Sequence, residues 1–115
     1  MKSKQAILAL SALAHAGRLA AFRLLIKAGP EGMAAGEIAH RLKVPPSSLS
    51  TNLLLLSNAG LVASRREGRS VIYCIDYDAM RGVLSFLIED CCNGSPEICT
   101  PLAGVLATCS PARCC

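Results

Sequence analysis

Cys91 and Cys92 stand side by side, and Cys99 follows seven residues after Cys92 in the stretch CCNGSPEIC. Adjacent thiols plus a third brought back by a Gly- and Pro-containing turn can close on one thiophilic ion. Soft thiolates select zinc, Cu(I) and iron–sulfur units. Trivalent arsenic is an equally natural guest, because it prefers three sulfurs and keeps a lone pair in the fourth position. Neighbouring helical residues diverge by about 100°, so Cys91 and Cys92 can face one ion only where a helix frays. Asn93-Gly94 offers that fraying and a left-handed turn, and Pro96 stiffens the return of Cys99.

The other thiols frame this set. The chain has seven cysteines, and six of them fall between residues 91 and 115. An odd, clustered count fits a closed disulfide framework poorly. Functional thiols in a reducing cytosol fit better, so a cytoplasmic protein is expected. A single thiol is most often a buried small hydrophobe, which is the reading for Cys74. Three functionless thiols in one exposed stretch would risk oxidation, which argues for a role for the 91/92/99 set. Cys109, Cys114 and Cys115 could be a second thiol site, a metal-delivery tail or incidental. His15 and His40 have no His or Cys partner at ligand spacing and read as a helix-end residue and a surface residue.

The elements that must position these thiols are mostly helical. At 115 residues the chain is one domain by length, and one this short has reason to share a dimer core. Its apolar content is Ala and Leu, with only two Tyr, two Phe and no Trp, which favours helices. Residues 4–15 read as a first helix with Ile7, Leu10 and Leu13 on one face. Its start, MKSK then QAILALSALA then AHA, resembles a secretory signal, but the helical period runs on without a break in composition. A second helix runs from Arg18 to Ala28, with Leu19, Phe22, Leu25 and Ile26 inward. Gly29-Pro30-Glu31-Gly32 ends it. A third helix, Ala35 to Leu42, turns Ile38, Ala39 and Leu42 inward. Val44-Pro45-Pro46 makes a turn, and Pro46 fits the first position of a fourth helix ending near Asn58. Leu49, Leu53 and Leu56 form that helix's buried stripe, against Ser47, Ser50, Thr51, Leu54 and Asn58. Leu61–Arg65 and Ser70–Asp76 read as two strands joined by Arg66-Glu67-Gly68-Arg69. A last helix, capped by Asp78 and carrying Val83, Leu84, Leu87 and Ile88, leads into the cysteine pair. No apolar run approaches the roughly 20 residues of a membrane helix, so no membrane partner is expected.

The fold class expected is mainly α with a small β-hairpin: a winged helix-turn-helix of five helices and a two-stranded wing. Residues 1–92 would form the DNA-binding and dimerisation domain, and 93–115 a cysteine-rich tail completing the ligand site. Charge supports double-stranded DNA as the partner. Residues 1–70 hold ten Lys/Arg against three Asp/Glu, whereas 71–115 hold two against five. A basic half suits phosphate contact. Ser47, Ser48, Ser50 and Thr51 place hydroxyls and a methyl group where base edges are read, at a helix N-terminus that also favours phosphate. Arg65, Arg66 and Arg69 would add charge beside the backbone or in the minor groove, and Lys43 a further phosphate contact.

The segments LSALAHAGRLAAFRLL, GEIAHRLKVPPSSLSTNLLLLSNAGLV and REGRSVIYCID resemble the ArsR/SmtB family of winged-helix metalloregulatory repressors. The resemblance covers about residues 5–90. It implies a homodimer built on the first and last helices, an inverted-repeat operator, and release from DNA when ligand binds. In two respects the chain departs from the family. Leu54 stands where many relatives carry a basic residue and Asn52 where many carry His, so the fourth helix has no charge and the burden shifts to the wing. The family's site on the third helix has no cysteine in GEIAHRL, and its site on the last helix has no histidine in AMRGVLSFLIED. The set beyond the last helix remains, as in the arsenic-responsive branch. Three sulfurs without a nearby histidine favour As(III) or Sb(III) over four-coordinate zinc, and methylarsenite would suit a site using only two thiols.

The expectation is an arsenite-responsive repressor that binds operator DNA as the apo dimer and needs no organic cofactor. Two alternatives stand beside it. One is a repressor whose thiols sense redox state by forming a disulfide. The other is a cysteine-rich metalloid carrier that does not bind DNA. The sequence offers no general base, phosphate loop or Ser/His/Asp set, so no enzyme is expected.

Overall fold

The computed structural model describes residues 2–88. Helix α1 (Ser3–Leu13) and helix α2 (Ala16–Ala28) are separated by Ala14 and His15 alone and are bent 100° from one another. The bend is held from both sides. The His15 Nδ1 accepts from the backbone N–H groups of Gly17 and Arg18 at 3.1 and 3.4 Å, capping α2. The Arg18 guanidinium donates back to the carbonyls of Ala12 and Ser11, closing α1. His15 is thus a helix-end residue, as expected, and His40 lies exposed on the surface.

The inward face of α1 is not that of its large apolar residues. Ala6, Ala9 and Ala12 are buried, whereas Ile7 is 63% exposed and Leu10 is also exposed. Alanines let α1 approach its neighbours closely, so the larger side chains turn out. On α2 the buried residues are Ala21, Phe22 and Leu25, while Leu19 and Ile26 are exposed.

Helices α3 (Ala35–Leu42) and α4 (Pro46–Asn58) have the bounds read from sequence. Ile38, Leu49, Leu53 and Leu56 join Leu25 and Leu61 as the largest fully buried side chains. The core therefore lies where α2, α3 and α4 meet, and it fixes α4 against the body of the domain.

Strands β1 (Met33–Ala34), β2 (Val62–Glu67) and β3 (Ser70–Ile75) form an antiparallel sheet in the order β1-β3-β2. The wing is β2 and β3, joined by Gly68-Arg69, with Gly68 at φ 61°. β3 begins at Ser70 as read, but β2 reaches further toward the tip than the sequence suggested, so Arg66 and Glu67 sit on β2 and not in the turn. β1, too short to leave a periodic signal, pairs Met33 with Tyr73 and Ala34 with Ile72. Gly32 makes this possible: at φ 76° it lies so close to β3 that a Cβ there would collide with the Tyr73 carbonyl.

Helix α5 (Tyr77–Ile88) is capped two residues earlier than read, by Asp76 and not Asp78. The Asp76 carboxylate accepts from Ala79 N–H at 3.1 Å, while Asp78 pairs with Arg81. α5 packs on α1 and buries only Val83; Leu84 and Leu87 are 42% and 52% exposed. No single described helix is long and apolar enough to cross a membrane.

Candidate nucleic-acid interface

The turn between α3 and α4 is set by Lys43, the one non-glycine described residue with positive φ (56°). Its left-handed backbone ends α3, and the Val44 N–H returns to the Ala39 carbonyl at 3.1 Å. Pro45 and Pro46 then start α4 without any side-chain cap. The first turn of α4 therefore presents backbone N–H groups from Ser47 and Ser48 in the arrangement that attracts phosphate. Lys43, Ser47, Ser48, Ser50 and Thr51 are all exposed and cluster at this end of α4.

Burial divides α4 cleanly. Leu49, Leu53 and Leu56 face the core, and Ser47, Ser50, Thr51 and Leu54 face outward. The Thr51 Oγ1 donates to the Ser47 carbonyl at 3.3 Å. Its hydrogen is thereby committed within the helix, leaving Thr51 with oxygen lone pairs and a methyl group for any ligand. Leu54 is 58% exposed.

The wing arginines are not equivalent. Arg65 holds Glu67 through Nε at 2.9 Å and donates from Nη2 to the Glu31 carbonyl at 2.6 Å. It thus straps β2 to the turn between α2 and β1. The hydrogen bond to Glu67 is also the main reason its guanidinium holds its proton still more firmly than usual. Arg66 and Arg69 make no ion pair among the described residues. The sequence reading grouped all three as equal charges and missed Glu67 and the Glu31 carbonyl. The signal available was the Arg65-x-Glu67 spacing, which puts both side chains on one face of a strand.

Cys91, Cys92 and Cys99 lie outside the described residues, as do the boundary read at residue 92 and Cys109, Cys114 and Cys115. Among the described residues no group of three or more His, Cys, Asp or Glu could hold a metal ion. Cys74 is half-buried, without a disulfide partner among the described residues, and opposite Ala63 in the wing. Near it the Tyr77 hydroxyl is buried without a hydrogen-bond partner among the described residues, and burial pushes that phenol's pKa up.

This arrangement has counterparts among known proteins. Residues 13–65 match a helix-turn-helix domain family. The nodulation protein NolR of Rhizobium meliloti is 36% identical over 80 residues, which are 70% of this chain and 63% of NolR, so this chain spans under two thirds of that relative. The reduced form of HlyU from Vibrio cholerae superposes with a TM-score of 0.60 at 31% identity, over 74% of this chain and 90% of that one. The homodimeric winged helix-turn-helix DNA-binding domain of Mb0332 from Mycobacterium bovis, described as a possible ArsR-family transcriptional regulator, gives a TM-score of 0.62 at 29% identity, over 76% and 81% of the two chains.

Proposed function

From its helix-turn-helix match and its winged-helix relatives, we propose that this chain is an ArsR/SmtB-type homodimeric repressor that leaves its operator when trivalent arsenic binds Cys91, Cys92 and Cys99. The fold and its relatives make it a DNA-binding transcription regulator. The dimer, the repressor sign and the arsenic trigger are the proposal.

One observation carries it. Helix α5 lies on α1 with Leu84 and Leu87 turned to solvent, and the cysteine cluster begins three residues beyond Ile88. Ile7 on α1 adds to the exposed apolar surface of this helix pair. Closing that surface against a second copy would bury it, and one relative of this fold is homodimeric. An ion drawing three thiolates together just past α5 would then act on the helix that sets the distance between the two copies of α4. Half-site spacing is geometric, so a small change there weakens operator binding. Linkage requires DNA to weaken arsenic binding by the same factor.

The donor set supports the ligand class. Three soft sulfurs match As(III) or Sb(III), while zinc prefers a fourth ligand. The test is a mobility-shift assay on operator DNA titrated with arsenite, antimonite, methylarsenite, zinc and peroxide. Arsenite should release the wild type, and Cys91→Ser, Cys92→Ser and Cys99→Ser should each stay bound. Release of these variants by arsenite overturns the trigger assignment. Release by peroxide but not arsenite replaces it with a thiol–disulfide sensor.

A further inference from the structure

We propose that Leu54 and the Thr51 methyl group read the 5-methyl groups of thymines in the operator half-site, so that this regulator recognises its DNA in part by apolar contact. The inference rests on α4 entering the major groove, as the proposed function requires.

The outward face of α4 carries no ionisable side chain: the helix reads PSSLSTNLLLLSN. It therefore lacks the Arg or Lys forks that grip guanine and the carboxylates that accept from cytosine. Its amides are Asn52 and Asn58. Asn52 is half-buried, and its Nδ2 lies only 2.9 Å from the Cβ that an alanine at position 17 would carry, so it is turned against the start of α2. Asn58 ends the helix, far from the N-terminal turns that contact bases.

What remains exposed around the start of this face is the hydroxyls of Ser47, Ser48 and Ser50, with Thr51 and Leu54. Thr51 has committed its hydrogen to the Ser47 carbonyl, so its methyl group and lone pairs are what it can offer. Leu54 follows Thr51 by three residues and Ser50 by four, which places it on the same stripe. Its 58% exposure is the largest of any leucine among the described residues. The core does not need it, since Leu53 and Leu56 already fill that side. In the major groove the apolar feature of natural base pairs is the thymine 5-methyl group. Charge for the phosphates comes from Lys43, Arg66 and Arg69 at either side, which leaves the helix face itself to discriminate.

The experiment uses the full chain. Duplexes selected from a random pool by retention on the protein are resynthesised with deoxyuridine replacing thymidine one position at a time. This substitution removes only the methyl group and keeps every hydrogen-bonding atom. For the wild type, one or two positions in each half-site should lose about three- to five-fold in affinity, the worth of one buried methyl group. Leu54→Ala, exposed and so harmless to the fold, should bind the thymidine and deoxyuridine duplexes equally at one of these positions. Thr51→Ser, which keeps the bond to Ser47 and loses only the methyl, should do the same at a neighbouring one. Equal binding of the two duplex types by the wild type at every position overturns the inference and leaves DNA binding standing. So does a thymidine preference that survives in both variants. A pool from which no duplex is retained overturns the DNA-binding reading itself.

Discussion

At the scale of single residues, the wing separates charges that hold the protein from charges available to a ligand. Arg65 is hydrogen-bonded to Glu67 and to the Glu31 carbonyl, whereas Arg69 sits in the turn with no ion pair among the described residues. Removing Arg69 should act as the loss of one phosphate contact. We expect Arg69→Ala to lower the slope of log affinity against log salt by about one unit, with no change in melting temperature. Arg65→Ala should weaken DNA binding further than that, because it loosens the strap to the α2–β1 turn and leaves the Glu67 carboxylate uncompensated near the phosphates. Adding Glu67→Gln to Arg65→Ala should recover part of the loss. Isotherms measured across a salt series decide between the cases. If Arg65→Ala and Arg69→Ala weaken binding alike and Glu67→Gln rescues nothing, the two arginines have the same role. Breaking the exposed Arg65–Glu67 pair should cost little stability, because solvent and salt screen it.

At the scale of elements, the sequence told most about α3 and α4, where proline placement and a leucine stripe coincide with both helix ends. It misled on α1, since the hydrophobic period marks a helix but not which of its sides meets the core. Ile7 and Leu10 read as sharing one face, yet Ala6, Ala9 and Ala12 occupy the contact, because close helix packing favours small residues over large ones. The cap of α5 was misplaced for a related reason: Asp76 and Asp78 are both good capping residues, and only the backbone path distinguishes them. β1 left no trace because two residues carry no period. Its position depends on Gly32, whose φ of 76° and contact with the Tyr73 carbonyl exclude a side chain. Gly32→Ala should therefore destabilise the domain by more than about 1 kcal/mol. It should also detach the wing's inner edge, seen as faster amide exchange at Tyr73 and Ile72. A variant as stable and as protected as the wild type would show that β1 contributes nothing to holding the wing. The proposed thiol site rests on sequence alone, three sulfurs in nine residues, and sequence spacing does not carry the geometry that would close them on one ion.

At the scale of the whole molecule, the question is what covers the apolar side chains that α1 and α5 leave outside. Ile7, Leu8, Leu84 and Leu87 are each more than two fifths exposed on two helices packed against one another, an arrangement that marks an interaction surface. Helix α1 carries only Lys4, and α5 carries Arg81 beside Asp78, so two copies joined through α1 and α5 bring little like charge together. Replacing Leu84 and Leu87 together with Glu tests this surface without touching the core, where α5 contributes only Val83. The double variant should fold, with unchanged helical content, and sediment as a monomer where the wild type sediments as a dimer. Each half of an operator would then be held alone, and loss of the linked second contact should lower affinity on the order of a hundred-fold. Binding to a single half-site should be nearly unaffected, which separates loss of pairing from damage to α4 or the wing. If the double variant remains a dimer, the subunits meet elsewhere. In that case an ion bound beyond α5 would have no direct path to the spacing of the recognition helices, and the trigger would have to act on α5 within one subunit.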